Sequence, residues 1–171
     1  MYLLCIYSAL LKIVLGENVQ LGMIGLGRMG GNIVRRLMQH GHASVVYDVN
    51  PDNVAQLAKE GAIPSKSLSH MVEQMPKPRA LWVMLPAGEI TAQTISELSE
   101  LLEAGDILID GGNSNFQDDV RHAQLLQSKG IRYLDVGTSG GVWGLDRGYC
   151  MMIGGDQSAA SHLDPIFKSL A

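Results

Sequence analysis

Leu21-Gly22-Met23-Ile24-Gly25-Leu26-Gly27-Arg28-Met29-Gly30 decides the fold, because an apolar run enters a GxGxxG turn and a helical pattern leaves it. After a buried strand, Gly25 lets the backbone turn tightly, Gly27 leaves room for a pyrophosphate, and Gly30 lets the next helix pack close to the strand. The anion then meets free N–H groups at a helix N-terminus. Leu26, Arg28 and Met29 complete the turn, so the whole of Gly25 to Gly30 is predicted to hold a dinucleotide. Asp48 ends a second apolar run, Ser44-Val45-Val46-Tyr47, and stands 18 residues past the last glycine. An acid at that distance suits the hydroxyls of the adenosine ribose. Charged hydrogen bonds of this kind contribute roughly 1.5 to 3 kcal/mol each, and the same carboxylate repels a 2'-phosphate. NAD is therefore favoured, with NADP as the alternative. A glycine turn alone is common; strand, turn, helix and acid together point to a dinucleotide.

The 171 residues, 46% hydrophobic, are enough for one domain and leave no room for a second of typical size. A net charge of −4 gives no basic surplus for a phosphate backbone, which excludes nucleic acid as the expected partner. Cys5 and Cys150 lie far apart with neither metal spacing nor a disulfide framework, so no metal is expected and a reducing, cytoplasmic setting fits. Residues 1–18 are read as an apolar appendage, with the folded domain spanning 19–171. The appendage lacks a basic flank, Lys12 interrupts it, and a transmembrane span needs on the order of 20 apolar residues. No membrane association is expected. An overextended start, with Val19 as the true first residue, is the leading reading; a poor signal peptide or an interfacial helix stays open.

Apolar runs alternate with helical patterns to the end of the chain, which predicts an α/β fold, a doubly wound, mostly parallel sheet of Rossmann type. Strands are expected at Gln20 to Ile24, Ser44 to Asp48, Arg79 to Leu85, Asp106 to Asp110, Ile131 to Val136 and Tyr149 to Ile153. Helices are expected from Gly31 to Gly41, from Pro51 to Gly61, near Ser67 to Gln74, from Thr91 to Leu102, from Phe116 to Lys129 and from Ser158 to Leu170. In the Phe116 helix, Val120, Ala123, Leu126 and Leu125 are read as facing inward. In such a sheet ligands bind beyond the carboxyl ends of the strands. The unusual residues lie there: Pro86-Ala87-Gly88, Asp110-Gly111-Gly112-Asn113-Ser114 and Gly137-Thr138-Ser139-Gly140-Gly141. Paired glycines beside Asn and Ser offer N–H groups and neutral side chains to an oxygen-rich anion, although each loop by itself also reads as a plain turn.

Taken together, Gly25 to Gly30, Asp110 to Ser114, Ser139-Gly140-Gly141 followed by Gly144, Gly148, and Ile153-Gly154-Gly155-Asp156 resemble 6-phosphogluconate dehydrogenase, within the β-hydroxyacid dehydrogenase superfamily. The resemblance runs from about Val19 to the end. It implies oxidation of the C3 hydroxyl of 6-phosphogluconate with a nicotinamide cofactor and decarboxylation to ribulose 5-phosphate, in the pentose phosphate pathway. Residue by residue, it gives Asn113 contacts with both substrate and cofactor. Ser139, Gly140 and Gly141 become substrate-binding residues, and Leu85, Pro86 and Ala87 part of the cofactor lining. Where NADP-dependent members present Asn-Arg-Thr, this chain has Asp48-Val49-Asn50, which resembles the NAD-preferring branch.

The family's catalytic lysine, with its His and Asn neighbours, and its glutamate acid belong to an all-helical second domain past Ala171, so no catalytic residue is expected in this chain. Loss of a general base alone typically costs about 10²- to 10⁴-fold in rate. Cofactor binding with little turnover is therefore expected. Lys168 lacks the family's catalytic setting and is read as a surface residue. His40, His42, His70, His122 and His162 are read as solvated or capping. Family dimers form largely through the helical domain, which leaves this chain's oligomeric state open. Two other functions compete: a stand-alone NAD-binding redox-sensing or partner module, and another β-hydroxyacid dehydrogenase.

Overall fold

A computed structural model describes residues 18–112 and 114–171. In chain order the elements are β1 (Gln20–Ile24), α1 (Arg28–Gln39), β2 (Ala43–Tyr47), α2 (Pro51–Lys59), β3 (Ile63–Pro64), α3 (Leu68–Gln74), β4 (Ala80–Val83), α4 (Glu89–Leu101), β5 (Ile107–Asp110), α5 (Phe116–Ser128), β6 (Arg132–Ser139), a 3₁₀ turn at Gly141–Trp143, α6 (Gly144–Arg147), β7 (Cys150–Gly155), α7 (Gln157–His162) and α8 (Asp164–Leu170). The seven strands form one sheet in the order β3-β2-β1-β4-β5-β6-β7. All pairs are parallel except β6 with β7. The chain runs outward from β1 to β3 and then returns to place β4 on the other side of β1, so the strand order reverses between β1 and β4. That is the crevice where open α/β sheets hold ligands.

Both faces of the sheet are covered, which is why its strands read as unbroken apolar runs. Leu21, Met23, Trp82 and Ile109 pack on one side with Ile33, Leu37, Ile166 and Leu170 of α1 and α8. Ile24, Leu81, Val83 and Leu108 pack on the other with Met71, Ile95, Leu98 and Leu126 of α3, α4 and α5. The alternation along β1 and β4 follows the period of two that sends successive side chains to opposite faces.

Several expectations need correction. α1 begins at Arg28 and not at Gly31, because the Gly27 carbonyl already accepts the Gly31 N–H at 2.9 Å. The single helix expected from Ser158 to Leu170 is two, α7 and α8, broken at Leu163. Pro165 lacks the N–H needed to continue the ladder and sits in the first turn of a new helix. On α5 Leu126 is buried, but Val120 is 53% and Leu125 38% exposed. Three-residue steps fall back about 60° each around a helix, so Val120 has drifted away from the face that Ala123 and Leu126 share. β6 runs on to Ser139, which pairs with Cys150. The two-residue β3, unforeseen, adds an edge beside β2.

His42 also departs from the solvated role expected of it: it is 5% exposed. Its Nδ1 accepts the Val19 N–H at 3.1 Å, and its Nε2 meets the Ser169 Oγ at 2.9 Å. Ser169 donates in turn to the Pro165 carbonyl at 2.9 Å. The ring thereby ties the start of β1 to α8. Because Nδ1 must accept, the neutral imidazole is the form that fits, and burial lowers its pKa below the ordinary value. The folded state therefore binds fewer protons than the unfolded one below about pH 6.5, the ordinary histidine value. This contribution is complete above that pH and is lost as pH falls through the folded-state pKa. The melting temperature of His42→Gln should accordingly fall less than the parent's between pH 7.5 and 5. At pH 7.5, His42→Ala should cost about 2 kcal/mol, for two hydrogen bonds. Thermal melts across that range, in matched buffers, check both; parallel profiles for parent and His42→Gln would contradict the coupling.

Candidate functional site around the β1 turn

Three glycines in the β1–α1 turn are required for three different reasons. Gly25 has φ +90°, and a Cβ there would lie 2.4 Å from the Met84 carbonyl oxygen of the neighbouring strand's exit. A Cβ on Gly30 would lie 2.0 Å from the Gly25 carbonyl oxygen, so its absence brings α1 against the turn. Gly27 is unlike both. Its φ of −59° and ψ of −173° suit any L-residue, and a Cβ there would meet nothing within 4 Å. Neither backbone nor packing demands glycine at this point. Gly27 and Arg28 are exposed, and Gly27 offers no side chain to cap the helix. The N–H groups of Arg28, Met29 and Gly30 have no intrahelical acceptors, as at any helix start. Open space before unpaired donors fits an anionic group such as a pyrophosphate.

Asp48 stands one residue past β2 and is built into the same turn. Its Oδ2 accepts the Leu26 N–H at 2.6 Å and its Oδ1 the Asn50 N–H at 2.8 Å. The Gly25 N–H donates to the Tyr47 carbonyl at 3.0 Å, which fastens the turn to β2. A cavity of about 470 Å³ opens beside it, and its lining includes Gly25, Gly27, Asp48, Leu85 and Pro86. Residues predicted from three separate stretches of sequence thus meet at one place. Leu26 and Arg28 border a smaller neighbouring pocket of about 220 Å³ that they share with Gly27. Met29 and Gly30 belong to α1, and Ala87 lies exposed in the turn after β4.

The remaining predicted residues sit at the carboxyl ends of β5 and β6. Asp110 is fully buried and holds the loop after β5: its Oδ1 accepts the Gly112 N–H at 2.8 Å and its Oδ2 the Ser114 hydroxyl at 2.9 Å. Asn113 lies outside the described residues. A Cβ on Gly111 would fall 1.8 Å from Nε1 of buried Trp82, so only glycine passes there. Ser139, the last residue of β6, and Gly140 and Gly141 just beyond it are exposed, with φ +147° at Gly140 and +50° at Gly141. Three strand spacings separate β1 from β6, about 14 Å in all. This group therefore shares the sheet's carboxyl edge with the turn without sharing its cavity.

Beneath the β5 loop, Asp110, Asp119 and His122 bring potential ligand atoms within 4.8 Å of one another. The Asp110 oxygens already accept from Gly112 and Ser114, and the Asp119 Oδ1 accepts the Tyr133 hydroxyl at 3.0 Å, so the group reads as a scaffold. Burial, then the charges of Asp110 and Asp119, pushes the Tyr133 phenol well above its ordinary value and keeps it a donor. Burial and then Asp119 and Asp110 raise Asp135 in the same way.

Sequence reasoning missed part of the cavity wall. Val49, Leu68, Ile90, Thr94 and Glu97 all line it. The spacing of Ile90, Thr94 and Glu97 on one helix face was the available signal. Among the described residues, no helix is long and apolar enough to cross a membrane.

Comparison with known proteins agrees with this geometry. Residues 20–171 match the family model described as the NAD binding domain of 6-phosphogluconate dehydrogenase. A decarboxylating, NAD(+)-dependent 6-phosphogluconate dehydrogenase of Haloferax volcanii is 40% identical over 153 residues, covering 90% of this chain and 50% of that protein. Among solved structures, Plasmodium falciparum 6-phosphogluconate dehydrogenase, described in complex with NADP+ and with 6-phosphogluconate, superposes with a TM-score of 0.83 at 29% identity. It is matched over 89% of this chain and 34% of its own. The 3-hydroxyisobutyrate dehydrogenase of Mycobacterium tuberculosis gives a TM-score of 0.81 at 25% identity, over 90% of this chain and 52% of its own. The chain thus spans about half the length of its Haloferax relative. With a GxGxxG turn at the switch point of a seven-stranded sheet and a family match over 20–171, this chain belongs to the 6-phosphogluconate dehydrogenase family, as its NAD-binding domain.

Proposed function

We propose that the chain supplies the cofactor-binding half of an enzyme that oxidises 6-phosphogluconate and decarboxylates it to ribulose 5-phosphate in the cytoplasm. The observation that carries the reading is Gly27: a glycine that neither backbone nor packing requires, set before an uncapped helix N-terminus. The domain is residues 19–171, preceded by the appendage 1–18. Gly25 to Gly30 hold the pyrophosphate, Asp48 the adenosine ribose, and Leu85, Pro86, Ala87 and Asn113 the remainder of the cofactor. Ser139, Gly140, Gly141 and Asn113 orient the substrate. A bound nicotinamide supplies a hydride acceptor. The residues named here contribute binding and orientation, which fix the reacting carbon relative to that acceptor. Proton transfer is assigned to the family's helical domain, and cofactor binding to the residues named here. The likeness to 3-hydroxyisobutyrate dehydrogenase supports a second reading, another β-hydroxyacid as substrate; a test of which hydroxy acids perturb the protein separates the two.

Asp48 favours NAD over NADP, since a carboxylate accepts from two ribose hydroxyls and repels a phosphate. Thermal stabilisation tests this directly. NAD at ~100 times its dissociation constant should add about 2.7 kcal/mol, and NADP at equal concentration much less. Asp48→Ala should weaken NAD at least about tenfold, because hydrogen bonds to a charged group are withdrawn. Stronger stabilisation by NADP would overturn the role of Asp48, and no response to either nucleotide would overturn the cofactor reading.

A further inference from the structure

Two apolar side chains border the Asp48 cavity while facing solvent: Val49 is 89% exposed and Ile90 57%. Neither contributes to the core, and Leu68 and Leu85 line the same space. Exposed apolar walls around a cleft suit a flat, uncharged ring. From Ile90 the cavity continues along one face of α4, through Thr94 to Glu97, at spacings of four and then three residues. The Thr94 hydroxyl donates its proton to the Ile90 carbonyl at 2.8 Å, leaving lone pairs toward other groups. Glu97 is exposed, and among the described residues it has neither an ion-pair nor a hydrogen-bond partner. Among the described residues lining the cavity there is no Lys, Arg or His. The carboxylates of Asp48 and Glu97 and the Thr94 hydroxyl, whose proton is committed, outnumber the Tyr47 phenol, the one free side-chain donor among the described lining residues, so the wall chiefly accepts hydrogen bonds. It selects a ligand that donates.

We propose that Glu97 reads the base of the dinucleotide, accepting a hydrogen bond from the exocyclic amino group of adenine. This rests on the cavity being the dinucleotide site. Asp48 then takes the donors of the ribose and Glu97 the donor of the base. Nicotinamide hypoxanthine dinucleotide is the discriminating probe, because its base carries a carbonyl where adenine carries the amino group. That change sets an acceptor against an acceptor at the exocyclic position, turns the neighbouring ring N1 from acceptor to donor, and leaves ribose, pyrophosphate and nicotinamide untouched.

The test is calorimetric titration of the full chain with NAD and with the hypoxanthine analogue. The parent protein should bind NAD about tenfold more tightly, the scale of one charged hydrogen bond at an accessible site. Glu97→Gln, whose amide both donates and accepts, should bring the two within about twofold. Glu97→Ala should weaken NAD while leaving the analogue nearly unchanged. Since Glu97 is an exposed helical residue, both variants should melt with the parent, and melting curves verify this. An unchanged NAD-to-analogue ratio in Glu97→Gln, or no discrimination by the parent, overturns the role of Glu97 and leaves the cofactor reading standing. Absence of NAD binding by the parent overturns both together.

Discussion

Gly27→Val is expected to melt within about 2 °C of the parent and to bind NAD at least about a hundredfold more weakly, because the change fills ligand space and no protein space. A Cβ there meets nothing within 4 Å, and the backbone already suits an L-residue. At an NAD concentration ~100 times the parent's dissociation constant, stabilisation should fall from about 2.7 to about 0.4 kcal/mol. Gly30→Val is the contrasting control. A Cβ there would lie 2.0 Å from the Gly25 carbonyl oxygen, so the loss appears in the fold itself. Paired thermal melts with and without NAD make the measurement. Equal NAD stabilisation of Gly27→Val and the parent would remove the main support for a pyrophosphate at this turn.

The largest loss of stability is expected at the opposite edge of the sheet. Asp106 is 1% exposed and accepts from the Arg79 N–H at 2.8 Å, the Arg79 guanidinium at 2.9 Å and the Glu103 N–H at 3.0 Å. These bonds join the entrances to β4 and β5. The Arg79 side chain is only 11% exposed. Asp106→Ala therefore leaves the buried Arg79 cation only the exposed Glu103 carboxylate at 3.5 Å, leaves two main-chain donors unpaired, and should cost about 3 to 5 kcal/mol. For a domain of this size that lowers the melting temperature by roughly 6 to 20 °C. Urea denaturation gives the free energy directly, and a cost under about 1 kcal/mol would mean that water replaces the carboxylate. In the folded protein, NAD affinity should not change, since these residues precede the strands and the turn follows them.

How far the sequence could be read depends on the range of the interactions involved. The strands around the switch point are legible because both faces are buried, and burial writes itself as apolar residues in Leu21 to Ile24 and Ala80 to Val83. The turn is legible because its glycines answer local sterics. His42 was not, since its burial is made by Val19 and Ser169, the latter 127 residues away. The reversed direction of β7 leaves no trace in an apolar run, which looks alike in either sense. The break before α8 had a visible cause in Pro165, and the apolar periodicity spanning it concealed the break. Glu97 was missed for another reason: an acid on an exposed helix face looks like ordinary solvation until the fold brings it to the lining of the cavity that Asp48 also borders.

Asp48 also bears on how such a protein can change over generations. Both carboxylate oxygens hold backbone, one at Leu26 and one at Asn50. An asparagine has a single acceptor oxygen there and can replace one of those bonds; a shorter residue replaces neither. Any lineage trading this side chain for one with a different taste in nucleotides must first cross a form whose turn is less well tied. Only a second, compensating replacement nearby makes that crossing safe, so drift at this position should proceed in coupled steps and seldom singly.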